Sequence, residues 1–180
     1  MLTHRLAVED DLPALRTLMN LAIGVLQRGF LDDAQIAASH AVMGLDTQLI
    51  GDRTYFLIED DGALAGCGGW SPRATLYGGD HSAALRNDAL LDPAREPARV
   101  RAMYTHPDFA RRGVGRMILG LCEEAAAASG FSKVVLMATL SGEPLYRACG
   151  YAAIERTASA PVEGVVVPLI LMGKTLSWVQ

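Results

Sequence analysis

"THPDFARRGVGRMIL", Thr105 to Leu119, sets Arg111, Arg112 and Arg116 around two glycines just ahead of an apolar run. Upstream, "RVRAMYTH" (residues 99–106) reads as a strand that stops at Pro107. Downstream, Gly113 to Ser129 reads as a helix burying Met117, Ile118, Leu121, Cys122 and Ala125, with Gly130 as its stop. A strand that turns through glycines into a helix start is a physically sensible anion site. The first-turn N–H groups lack intrahelical partners, and the helix dipole adds partial positive charge. Gly113 and Gly115 carry no side chain to hold a phosphate away from the backbone. Taken alone, the turn reads equally well as a tight connection with solvated arginines, and its neighbours must decide. Two nucleotide motifs are excluded: a dinucleotide fingerprint needs a third glycine where Ile118 stands, and a P-loop needs Gly-Lys-Ser/Thr where Gly115, Arg116 and Met117 stand.

Working outward, the N-terminal half predicts a strand at Leu2 to Ala7 and then a helix from Pro13 to about Gln27, with Leu12, Leu15, Met19, Ala22 and Leu26 at helical spacing. A second helix is expected over Asp32 to Leu45. "RTYFLIED" and "ALAGCGGWSP", joined at "DDG", form a hairpin by their turn chemistry. Residues 73–98 mix turn formers with short apolar patches, and an irregular loop is expected there, with one helical turn near Ser82 to Leu85. Beyond the central helix, "KVVLMATL" reads as a strand buried on both faces. "SGEPLYRACG" reads as a short helix with Ser141 as N-cap and Gly150 as its end, and strands over Tyr151 to Arg156 and Val165 to Thr175 close the chain.

A chain of 180 residues, half of them hydrophobic, suits one globular domain spanning residues 1–180. The net charge of −4 argues against a surface built for nucleic acid or anionic membrane, so the basic cluster is a local device for a small anion. Cys67, Cys122 and Cys149 lack the spacing of a zinc site or a disulfide scaffold, and reduced, mostly buried thiols are expected, with no metal. The N-terminus has no apolar signal core, and the apolar stretch Val165 to Met172 is too short to span a bilayer. These features predict a cytoplasmic protein.

"RVRAMYTHPDFARRGVGRMIL" and, thirty residues on, "SGEPLYRACGY" resemble the two cofactor motifs of the GNAT superfamily of N-acyltransferases. The order of elements extends the resemblance over nearly the whole chain. It implies an α/β fold with a mixed, mostly antiparallel central sheet and helices on both faces. It further implies acetyl-CoA as acyl donor and direct attack by a primary amine in a ternary complex, with no covalent enzyme intermediate. The acceptor would be a small molecule or a peptide, and a homodimer is compatible with the family. Carried over by position, Met103, Tyr104 and Thr105 fall at the strand edge that pairs with pantetheine and the acyl carbonyl. Arg111, Arg112, Gly113, Val114, Gly115 and Arg116 wrap the pyrophosphate, and Tyr146 takes the place of the general acid beside the sulfur. Ala110 stands where the family often has Gln or Arg, and Thr139 where many members have an asparagine, with Ser141 as a substitute hydroxyl.

His81, Asp80, Glu59 and His106 are the candidates for a general base, and a water chain to solvent would serve as well. The acceptor side is expected to be lined by the first two helices, Cys67 to Ser71 and the long loop, with Trp70 and Tyr77 as its aromatic residues or, for Trp70, as part of the core. The alternative from another class is a non-catalytic acyl-CoA-binding or sensing domain.

Overall fold

The computed structural model describes residues 1–177. Seven strands form one sheet: β1 (Leu2–Leu6), β2 (Tyr55–Asp60), β3 (Ala63–Ser71), β4 (Ala98–Thr105), β5 (Lys133–Thr139), β6 (Ala152–Ala158) and β7 (Pro168–Thr175), in spatial order β1-β2-β3-β4-β5-β7-β6. Every neighbouring pair is antiparallel except β4 and β5, which run parallel because α4 (Val114–Ala128) crosses over between them. This is the expected mixed, mostly antiparallel sheet.

Helices cover both faces. Successive residues of β2 point to opposite sides, so Tyr55 and Leu57 pack with α1 (Leu12–Leu26), while Ile58 packs with Ile118, Leu119 and Cys122 of α4. The β2–β3 turn holds Asp61 and Gly62 both at positive φ, the two-residue arrangement whose twist matches a hairpin. α2 (Asp33–Val42) begins at Asp32, whose carboxylate accepts from the Gln35 N–H at 2.8 Å, and it packs Ala38 and Val42 beside Val167 and Leu169.

Several local expectations change. The second helix ends at Val42, and a separate short helix, α3 (Thr47–Gly51), starts after Asp46, because the Asp46 carboxylate caps it through the Gln48 N–H at 3.0 Å. On α4 the buried stripe is Val114, Ile118, Leu119, Cys122 and Ala126, with Met117, Leu121 and Ala125 half-buried at its margins. β5 alternates buried and half-buried residues, so it is fully buried on one face only. The last short helix, α5 (Glu143–Ala148), begins at Gly142 without a side-chain cap, and Ser141 Oγ lies 3.1 Å from Thr139 Oγ1 instead. Residues 73–97 are irregular apart from one turn at Ala83–Leu85, and the expected loop ends one residue early because Ala98 already pairs in β4.

Candidate active site

The parallel seam decides where a site can lie. β4 and β5 pair only at Ala98 with Val134 and at Arg99 with Val135. Beyond Arg99 the strands separate, leaving the far half of β4 without a strand partner on that side. A cavity of about 80 Å³ occupies the gap, between Val100 to Tyr104 of β4 and Leu136, Met137 and Thr139 of β5. Its rim is Val42 to Gly44, at the end of α2, and Leu76 to Gly78 of the long loop, with Tyr146 closing the α5 side.

On its other edge, β4 carries a bulge. Tyr104 lies opposite Cys67 and Arg101 opposite Gly69, so three intervals of β4 face two of β3. Ala102, inside the bulge, has φ of 51°, a left-handed backbone that a residue with a Cβ adopts only at some energetic cost. The tyrosine hydroxyl of Tyr55 donates to the Ala102 carbonyl at 2.7 Å. The glycines of β3 make the room: a Cβ on Gly68 would sit 2.7 Å from Met103 Cγ, and one on Gly69 would sit 2.8 Å from Tyr55 Cδ2.

The glycine turn follows β4 directly. Gly113 precedes α4 with φ of 88°, and Arg111 also turns left-handed at 61°. A Cβ placed on Gly113 would meet no heavy atom within 4 Å, so the space before the helix is open. Gly115 is different, because a Cβ there would fall 2.5 Å from Leu145 Cδ2, and its missing side chain lets α5 pack against the start of α4. The three arginines also part company. Arg112 reaches Asp60 at 3.2 Å and lies over the Phe109 ring at 5.1 Å, whereas Arg111 and Arg116 are exposed without an ion pair among the described residues.

Tyr146 is half-buried in α5, with its ring edge-on to Tyr151 at 6.0 Å and its hydroxyl 3.9 Å from Met103 Sδ. Burial pushes its phenol above the ordinary tyrosine range, so the hydroxyl keeps its proton near neutrality. A Cβ on Gly142 would lie 2.8 Å from the Tyr146 ring, which ties that glycine to the placement of the phenol. Thr139 lines the cavity and accepts the Gly142 N–H at 3.2 Å.

The structure therefore brings Met103, Tyr104 and Tyr146 around one cavity, with the turn from Arg111 to Arg116 following β4. It does not bring the four candidate bases together. Glu59 is paired with Arg5 and Asp80 binds the Thr47 N–H and hydroxyl. His81 Nε2 is 2.8 Å from the Ala41 carbonyl, and His106 Nδ1 accepts the Asp108 N–H. Cys67 to Ser71 is buried in the sheet rather than lining the acceptor side, and Trp70 packs edge-on to Phe131 in the core. Tyr77 does line the cavity.

Sequence reasoning missed a buried ionic cluster beside the cavity. Asp46, wholly buried, takes Arg101 at 2.8 Å and Arg86 at 3.1 Å, while the Arg101 guanidinium also donates to the Gly78 carbonyl at 2.9 Å. Nothing in the motif spacing marks these three residues, which are separated by 40 and 15 positions along the chain (86 − 46 and 101 − 86).

Fold and site together define an α/β protein with a sheet split between two parallel strands and a glycine-led helix start beside the opening. The family described as Acetyltransferase (GNAT) matches residues 23–151, and the chain belongs to that family. Among solved structures, it is similar to a GCN5-related N-acetyltransferase from Rhodopseudomonas palustris, with 16% identity, 97% of this chain and 95% of that chain covered and a TM-score of 0.70. It is similar to YncA from Salmonella typhimurium, a putative acetyltransferase solved with acetyl-CoA, at 19% identity, 99% and 95% coverage and a TM-score of 0.62. It is likewise similar to the PaiA N-acetyltransferase from Thermoplasma acidophilum, solved with coenzyme A, at 13% identity, 97% and 99% coverage and a TM-score of 0.65. No curated protein matches the sequence.

Proposed function

We propose that this acetyltransferase uses acetyl-CoA as donor and a primary amine as acceptor, the amine attacking directly while both substrates are bound. The observation that carries the reading is the separation of β4 from β5 after Arg99, which opens a strand edge beside the glycine turn and Tyr146. YncA and PaiA, of similar fold, were solved with acetyl-CoA and coenzyme A, and the open space at Gly113 leaves room for a phosphate at the start of α4.

Acetyl-CoA supplies the thioester, an acyl group on a fair leaving group. The Tyr104 and His106 N–H groups face β3, so along the open edge it is Met103 and Thr105 whose backbone N–H groups can pair with an amide-rich arm and polarise a carbonyl. The start of α4 offers first-turn N–H groups to the pyrophosphate, and Arg111 and Arg116, exposed and without an ion pair among the described residues, can add charge. As the amine nitrogen bonds to the acyl carbon and the carbon–sulfur bond breaks, Tyr146 delivers its proton to the departing sulfur. The amine's surplus proton leaves through water, since the side chains considered as bases are held in other contacts.

Gly113→Val tests the reading. It places a β-branched side chain at a left-handed position in the space before α4. CoA affinity by calorimetric titration should fall at least tenfold in a folded variant, and unchanged affinity would remove the glycine turn from the site. Turnover of acetyl-CoA with a panel of amines then separates an enzyme from a domain that only binds.

A further inference from the structure

We propose that Tyr55 is a positioning residue for acyl transfer, its hydroxyl holding the β4 bulge and thereby aiming the Met103 amide at the thioester carbonyl. This rests on the proposed binding of the thioester at Met103 to Thr105.

The argument starts from Ala102. A non-glycine residue at φ of 51° inside a strand is strained and persists only where its surroundings fix it. Tyr55 is 1% exposed and reaches past β3 to give its proton to the Ala102 carbonyl at 2.7 Å. Its oxygen lies 3.2 Å from Cys67 Sγ. The hydroxyl's single proton goes mainly to the shorter contact, the Ala102 carbonyl, with the Cys67 sulfur as a second, longer acceptor. Burial pushes the Cys67 thiol up to about 12, so it stays neutral beside the hydroxyl.

The peptide group is planar, with carbonyl and N–H pointing in opposite directions. Fixing the Ala102 carbonyl toward Tyr55 fixes the Met103 N–H away from it. Without the hydroxyl, Ala102 can relax toward an ordinary strand backbone, and the Met103 N–H turns with it. An amide donor contributes to catalysis through its aim, so a misdirected one loses its effect on rate while the rest of the binding edge remains.

The experiment uses the full chain, acetyl-CoA and hydroxylamine as a small acceptor. Nitrogen bonds to the acetyl carbon, the carbon–sulfur bond breaks, and the products are acetohydroxamate and the free CoA thiol, which is measured. Tyr55→Phe keeps the ring and should lower kcat about tenfold or more, with KM for acetyl-CoA and calorimetric CoA affinity within about twofold. Glycine adopts positive φ freely, so in an Ala102→Gly background the bulge no longer needs the hydroxyl. There Tyr55→Phe should lower kcat less than about threefold, a rescue that a purely structural tyrosine would not show. Equal losses in both backgrounds, or no loss in either, would overturn the assignment. Should Tyr55→Phe alone fail to fold, the double variant decides: active supports it, while folded but inactive, or unfolded, refutes it. Wild type that binds no CoA sinks this inference together with the proposed function, whereas wild type that turns over beside an equally fast Tyr55→Phe sinks this inference alone.

Discussion

Tyr146 shows how a residue named from its motif gains chemical content from its surroundings. The sequence "LYRACGY" locates it on a short helix, but the state of its proton depends on burial by residues distant in the chain. With its phenol pushed above the ordinary range, Tyr146 remains a donor at the pH values where an amine is nucleophilic. Tyr146→Phe should therefore reduce single-turnover acetyl transfer about ten- to a thousandfold, or about 1.4 to 4 kcal/mol of transition-state stabilisation, at unchanged CoA affinity. The wild-type rate should not decline near pH ~10, where an ordinary tyrosine ionises, and the variant's profile should be lower but of the same shape. A wild-type alkaline limb at that pH which the variant lacks would show that burial does not protect the proton. Arg112 carries the opposite lesson: it sits in the motif, yet Asp60 and the Phe109 ring hold it, while Arg111 and Arg116 have no ion pair among the described residues. Spacing identifies which residues flank a turn, and ion pairing across β2 is invisible to it.

At the scale of elements, strands and long helices were legible because their patterns are local. The Asp-Gly hairpin, the apolar stripe of α1 and the glycine-bounded α4 follow from neighbours within a few residues. The break between α2 and α3 was not legible, because it depends on Asp46 capping α3 while anchoring Arg86 and Arg101. That carboxylate links three segments: the start of α3, β4 and the irregular loop, whose carbonyl at Gly78 also accepts from Arg101. Removing one side of a buried ion pair leaves an uncompensated charge in the interior. Asp46→Ala should thus lower the unfolding free energy by about 3–5 kcal/mol, read from urea denaturation. A loss below about 1 kcal/mol would mean that water reaches the arginines and the cluster is not a structural anchor. The β4 bulge was likewise hidden, although the glycines of "AGCGGW" are its sequence trace: they leave room for Met103 and Tyr55.

For the molecule as a whole, titration sets the limits of stability at both ends of the pH scale. Asp11 is held below the usual carboxylate range by hydrogen bonds from Arg5, and Glu143 by Arg147 and Arg156. Their contribution is present above the unfolded carboxylate pKa of about 4 and is lost as pH falls through the lowered folded values. Tyr55, Tyr104, Tyr146 and Tyr151 are all raised, chiefly by burial. Their contribution is complete below about pH 10 and is lost as pH rises above it. The thermal midpoint should form a plateau through neutrality, falling below about pH 4 and above about pH 10. A midpoint still rising at pH 11 would contradict the burial of these phenols. The seam between β4 and β5 has one more consequence, for how the chain finds this structure. β1 to β4 form a consecutive antiparallel meander, and β5, β6 and β7 a second antiparallel group, so the parallel pairing between the groups is confined to two residue pairs. Parallel pairing between strands separated by a helix is entropically expensive and slow to form. Nearly all the sheet can form within two successive stretches of chain, so the topology predicts that the docking of the two groups across α4 is the slow step of folding.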